Sequence, residues 1–252
     1  DPAPNSLYIS QAKAPLNDLR VRKALSLSID RDEFIKVMAE GDGQWRLTGS
    51  RPTDWTDAEV KQLLKYDPAA AKQMLAEAGY PNGVKLKLLN RAADAGGATK
   101  GELLLQSQLK KGGFDVEIDA VPKAEGTNRL YTGAFDMILL YEKRFADVDS
   151  FLWDQNHSSG IKPVGTTASN WIRVNDPKLD QLIEAQRAAV DPNVRTKALK
   201  DTARYMTEQV YMLGVYPRFY YFGYHPYVKN YYSQDMVSYS QDWGFKAIWL
   251  DK

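Results

Sequence analysis

The stretch from Tyr141 to Gly160 reads YEKRFADVDSFLWDQNHSSG and gathers carboxylates, a guanidinium, an indole, an imidazole and two serines. Several chemistries suit such a set. Asp147 and Asp149 offer paired carboxylates, the acid and base of glycoside hydrolysis. At i,i+2 on a helix they would diverge, so the plainer reading has one capping the helix that starts there and the other solvated. His157 falls one helical turn after Asp154. That pair could serve a metal or a proton transfer, or His157 could simply close the helix. Arg144 could grip a carboxylate, a phosphate or sugar hydroxyls through two parallel donors. Trp153, and Trp171 beyond it, could be stacking walls for a ligand or core residues.

The remaining sequence narrows the choice between transforming a small molecule and holding one. There is no GxxxxGK[ST] loop, no GxGxxG, no HExxH and no GxSxG elbow. The two histidines, His157 and His225, are far apart, and there is no cysteine, so disulfides, thiolate nucleophiles and cysteine metal sites are excluded. Lys and Arg number 33 against 32 Asp and Glu, a net charge of +1, which argues against a nucleic-acid binder. No apolar run is long enough to span a bilayer. The opening DPAPNSLYIS has neither the basic start nor the apolar core of a signal peptide, as in a mature or truncated product.

The elements that must position these residues follow from periodicity. SLYIS (Ser6–Ser10) alternates as a strand. LRVRKALSLSI places Val21, Leu25 and Ile29 on a helical stripe, and its basic cluster RVRK reads as the solvated face. Asp30 with Glu33, and Thr56 with Glu59, fit capping boxes. Between them, GDGQWRLTGSRPTDW is a loop holding Trp45. In YDPAAAKQMLAEAGYPNG, Asp67 caps, Pro68 opens the helix and Gly79 ends it. VKLKLL is a strand, TKGELLLQSQLKK a helix, FDVEIDAV an alternating strand, Ala124–Tyr131 a short helix and FDMILLY an apolar strand. That order predicts a parallel sheet with helices on its faces. Ligands gather beyond the carboxyl ends of such strands, and Tyr141–Gly160 begins where FDMILLY stops. Two helices follow, each opened by Asp-Pro. The chain then turns aromatic in VYPRFYYFGYHPYVKNYY, with more apolar surface than a terminal extension normally carries.

Taken together, PLNDLRVRKALSLSIDRDEFIK, YDPAAAKQMLAEAGYPNGVKLKLL, LQSQLKKGGFDVEID, TGAFDMILL, NDPKLDQLIEAQRAAVDPNVRTKAL and YFGYHPYVKNYY resemble, in order and over nearly the whole chain, the bacterial extracellular solute-binding proteins of family 5. The resemblance implies an α/β fold, one lobe of a type II periplasmic binding protein with a central, mostly parallel sheet flanked by helices. Residues 1–219 would be the C-terminal ligand-binding lobe with its hinge strands. Residues 220–252 would return to a missing N-terminal lobe. It further implies a binding function without catalysis or cofactor, for peptides, oligosaccharides, opines, or metal and haem complexes, the last disfavoured by the absence of cysteine and by there being only two histidines, and a periplasmic or extracellular setting, free or as a surface lipoprotein. The expected partners are a small solute, the N-terminal lobe, the permease subunits of an ABC importer, and a second copy through the aromatic tail. Tyr141, Arg144, Asp147, Trp153, Trp171 and Trp45 are the residues expected to meet the solute. Peptide-binding relatives carry an aspartate in the loop after this strand, pairing with the ligand's amino terminus. Counting back from Ser150-Phe151-Leu152 puts Arg144 at that place; counting forward from Phe135-Asp136 puts Phe145 there, with Asp147 in reach of the amine role. A glycoside hydrolase using Asp147 and Asp149, or a stand-alone interaction module, are the competing readings.

Overall fold

A computed structural model describes residues 4–41, 45, 56–91, 97–141, 148–217, 224–230 and 248–251. Its elements begin with β1 (Pro4–Ile9), α1 (Leu19–Leu27), α2 (Arg31–Met38), α3 (Asp57–Leu63) and α4 (Pro68–Glu77). Next come β2 (Val84–Asn90), α5 (Lys100–Lys111), β3 (Phe114–Ala120), α6 (Lys123–Thr132) and β4 (Met137–Tyr141). Then follow α7 (Val148–Asn156), α8 (Pro177–Ala188), α9 (Pro192–Gln209), β5 (Met212–Pro217), and the two-residue strands β6 (Val228–Lys229) and β7 (Trp249–Leu250).

The helices start where side chains take up free amides. Asp30, Thr56, Asp67, Thr99, Asp176 and Asp191 each accept from a backbone N–H of the first turn. Thr56 and Thr99 complete full capping boxes with Glu59 and Glu102; at Asp30 only the aspartate's half is seen.

Among the described residues, β1 to β5 form one sheet in the order β3-β2-β4-β1-β5. β2 is parallel to both β3 and β4, as the strand-helix alternation predicts. β1 runs antiparallel to β4 and β5, a reversal that local periodicity does not encode. Alternate side chains feed two cores. Leu7, Ile9, Leu86, Leu88, Val116 and Met137 pack with α1, α2, α4 and α5 on one face. Tyr8, Leu89, Ile138 and Met212 pack with α6, α7, α8 and α9 on the other. β4 supplies both layers, which explains its unbroken apolar sequence.

The RVRK reading needs a correction. Arg22 is buried, donating to the carbonyls of Gln209 at 3.1 Å and Leu16 at 2.9 Å, with its guanidinium over the Tyr211 ring. Position 22 adjoins the apolar stripe, and the planar guanidinium satisfies carbonyls that α9 and the segment before α1 leave open. In the tail, β6 and β7 pair with each other and stand outside the main sheet. Tyr224, Trp249 and Leu250 are all more than half exposed.

Asp176 joins the layers at the amino ends of the strands. One of its oxygens caps α8, and the other accepts from Tyr205 at 2.8 Å and from Tyr211. Burial alone would raise this carboxyl. The tyrosine hydroxyls and the amides of Lys178 and Leu179 outweigh it and hold the pKa below the ordinary carboxylate value. A depressed folded pKa stabilises above the unfolded value of about 3.9, and that stability drains as the pH falls through the folded value. Burial, then Asp176, pushes Tyr205 up to about 12 and raises Tyr211 as well. Their contribution is intact below about pH 10 and is lost as the pH rises through the raised values. Asp176→Asn is therefore expected to cost about 1–2 kcal/mol at neutral pH, allowing for partial exposure, and to flatten the acid limb of the stability curve. Urea titrations across the acid range check this; an acid limb as steep as wild type would contradict it.

Candidate functional site

The parallel strands end together. β2 stops at Asn90, β3 at Ala120 and β4 at Tyr141. Because β1 is antiparallel, its first residues reach the same rim, where Pro4 pairs with Pro217 and Asn5 with Tyr141. The chain therefore comes into this sheet and leaves it side by side, at the end where parallel α/β sheets bind ligands.

Asn90 is buried at the rim, and its amide donates to Glu102 Oε2 at 2.5 Å. The same carboxylate oxygen takes the Thr99 N–H and hydroxyl, so one buried acid fixes the start of α5 against the end of β2. Tyr216 stacks on Phe34 with centroids 5.4 Å apart. Gly101 lies against that tyrosine's hydroxyl, where an added Cβ would stand 3.0 Å from the oxygen. Apart from the capping box of Thr99 and Glu102, none of these residues carries a motif.

Of the residues expected at the site, Tyr141 ends β4 opposite Asn5. Its side chain, Arg144 and Asp147 lie outside the described residues. Asp149, in the first turn of α7, accepts from Gln186 Nε2 at 2.6 Å and pairs with Arg187 Nε at 3.5 Å. Trp153 already has ring partners: the Arg187 guanidinium lies 4.2 Å from its centroid, and the His157 ring stacks at 4.0 Å with an interplanar angle of 15°. His157 is also engaged. Its Nδ1 accepts from the Ser159 N–H at 3.1 Å and the Ser159 hydroxyl at 2.8 Å. That leaves the proton on Nε2, facing Glu184 at 3.4 Å and Asp180 at 3.9 Å. Among the described residues, no three His, Asp or Glu are grouped to hold a metal ion.

Trp171 is not brought to the rim. It is 7% exposed and packs on Tyr8 at 4.6 Å and Phe135 at 6.2 Å, toward the amino ends of the strands. Trp45 belongs to a separate cluster with Val60, Leu63 and Leu64, its indole N–H donating to Asp32 at 2.6 Å and Lys61 above its ring. A groove of about 630 Å³ lies elsewhere again, over the uncovered face of β2 and β3. Lys85 and Lys87 there stand in register opposite Asp115 and Glu117, a charge-paired face that water covers well.

These features define a class. A mostly parallel sheet with one reversed strand, helices on both faces, and β1 and β5 lying side by side at the rim is the architecture of a periplasmic binding protein. The chain belongs to the bacterial extracellular solute-binding proteins, family 5, whose middle-region model matches residues 2–163. That family binds small solutes such as peptides and delivers them to ABC permeases. The chain is 26% identical over 201 residues to a dipeptide-binding protein of Pseudomonas aeruginosa, covering 78% of this chain and 37% of that one. It is 29% identical over 209 residues to heme-binding protein A of Haemophilus influenzae, covering 78% and 36%. A binding protein of Agrobacterium tumefaciens solved with mannopinic acid superposes with a TM-score of 0.72 at 28% identity, over 86% of this chain and 44% of that one. An ABC transporter-associated periplasmic binding protein of Helicobacter pylori, solved with a peptide, shares the fold at TM-score 0.76 and 22% identity, over 100% and 48%. The chain thus spans under half the length of these relatives.

The Arg187–Trp153–His157 stack ties α7, which follows the rim, to α8. Trp153→Ala is expected to cost about 2 kcal/mol from lost burial, and Arg187→Ala about 0.5–1 kcal/mol for one cation on a half-buried ring. Chemical denaturation measures both. Losses below about 0.5 kcal/mol for each, the range of an ordinary surface substitution, would show that the seam does not hold α7.

Proposed function

We propose that residues 1–219 are the C-terminal ligand-binding lobe of a solute-binding protein that works with an N-terminal lobe and hands its solute to an ABC importer. The pairing of Pro4 with Pro217 at the rim carries the reading: both connections to further chain leave at the edge where a solute would sit. The length shared with relatives agrees. Residues 220–252 then return to the other lobe, which supplies the cover that Tyr224, Trp249 and Leu250 lack in this chain. The setting is periplasmic or extracellular, and the solute is peptide-, oligosaccharide- or opine-like. Placing Arg144 where peptide-binding relatives carry an aspartate favours an anionic or polyhydroxylated solute over a free amino terminus, because a guanidinium repels an ammonium and grips a carboxylate. The relative solved with mannopinic acid fits that class.

The glycosidase reading loses ground, since the Asp149 carboxylate is already engaged by Gln186 and Arg187. One lobe alone gives half the contacts and no closure around the solute, so the two-lobed protein should bind at micromolar or tighter affinity and this chain alone roughly a hundredfold more weakly. Calorimetry with mannopinic acid, the peptide Ser-Thr-Ser-Ala and mannohexaose tests it. Equal affinities for the chain and the two-lobed protein, or turnover of the sugar, would overturn the reading.

A further inference from the structure

The groove over β2 and β3 has a charge pattern that the solute rim does not use. Lys85 and Lys87 are exposed on β2, and Asp115 and Glu117 are exposed beside them on β3, in register and on the same side of the sheet. Helix α6 meets β3 only further along, where Arg129 takes Asp119 at 2.8 Å. The apolar side chains that line the groove are covered: Leu89 is 2% and Phe135 7% exposed, so a partner here would meet charge and not apolar surface. One strand thus presents a cationic row and its neighbour an anionic one. Within the chain the rows are only loosely joined. Lys87 stands 3.7 Å from Glu117, with both side chains more than half exposed. Exposed pairs of this kind add little to the stability of a fold.

Met face to face, the pattern is complementary to itself. A two-fold axis running along the strands, between β2 and β3, sets the cationic row of each copy over the anionic row of the other. An axis across the strands would set lysines over lysines and acids over acids. Joining two copies edge to edge is opposed as well. β3 is an edge strand, so that mode would bring Asp115 and Glu117 of one copy beside the same acids of the other. Gln106 of α5 also donates to the Val116 carbonyl of β3 at 2.7 Å and so occupies an acceptor that a further strand would need. The groove is open on the β3 side, because the sheet ends there, and the β3 of a second copy can enter it.

From this geometry we infer that the open β2–β3 face is a docking surface for a second copy of this chain, with Lys85 and Lys87 of each copy on Asp115 and Glu117 of the other. These residues lie in the amino halves of their strands, away from the rim. The dimer therefore leaves both rims free, and because the axis follows the strands, both point the same way. It uses none of the exposed residues Tyr224, Trp249 and Leu250 of the tail.

Sedimentation of this chain over a concentration series tests the inference. A dimer is expected, its affinity falling roughly tenfold or more between about 0.05 and 0.5 M NaCl as the rows are screened. The double variant Lys85→Glu with Lys87→Glu carries two acidic rows, and Asp115→Lys with Glu117→Lys carries two basic ones. Each alone should lose dimer affinity by roughly a hundredfold, since like rows then face each other. An equimolar mixture of the two should associate again, because every row meets its opposite. Melting temperatures show whether each variant folds. Should a reversal not fold, the neutral variants Lys85→Gln with Lys87→Gln and Asp115→Asn with Glu117→Gln take its place, each expected to weaken the dimer roughly tenfold. A wild-type chain that stays monomeric throughout the series overturns the inference. So does a mixture of reversed variants that fails to associate. An association that persists unchanged in the reversed or neutral variants also overturns it and assigns the contact to the tail.

Discussion

A guanidinium buried among backbone carbonyls is the interaction on which this fold depends. Arg31 is 1% exposed and donates to the carbonyls of Gly214, Ser26, Ile29 and Leu64, joining β5, the end of α1 and the end of α3 through one side chain. Burial draws its pKa down to about 9, with Asp30 opposing, so it stays charged at neutral pH. Arg173 does the same on the other face, donating to Trp171, Thr132 and Thr166. Most of these carbonyls lie at or near the ends of helices, and that of Gly214 belongs to β5, the edge strand of the sheet. A planar fork with five N–H groups can satisfy several at once, which no lysine could do. Removing such a clamp strands every carbonyl it holds.

The clamps require unusual backbone. Arg173 itself has φ 59, and Gly133, which ends α6, has φ 74. An added Cβ at Gly133 would stand 2.4 Å from the Arg173 guanidinium carbon, so the left-handed turn and the missing side chain serve one purpose. The turn at 170–173 is thereby closed against the end of α6, and Trp171 is carried inward onto Tyr8. Arg173, not the indole, decides that Trp171 is core.

What the sequence made legible, and what it hid, follows from range. Helix starts could be read because a cap is settled by residues two or three apart: Thr56 before Glu59, Asp67 before Pro68, Asp176 before Pro177. The parallel β2-β3-β4 run could be read because alternation and spacing specify it locally. The reversal of β1 could not, since its partners β4 and β5 lie more than a hundred residues on. Arg22 looked solvated because its neighbours are basic, yet its acceptor at Gln209 is 187 residues away. Trp153 could be read as core or as a stacking wall, because nothing in its own helix announces Arg187.

The same reasoning applies to the rim. Residue types in Tyr141–Gly160 suggest chemistry, but type gives only capacity; what a group does depends on how much of that capacity the fold has already used. Asp149, Trp153 and His157 are each engaged by α8 or by the turn that follows α7, and so they serve to hold a helix. Groups open to a ligand are those the fold positions but does not satisfy, and finding them means accounting for partners, not counting reactive side chains.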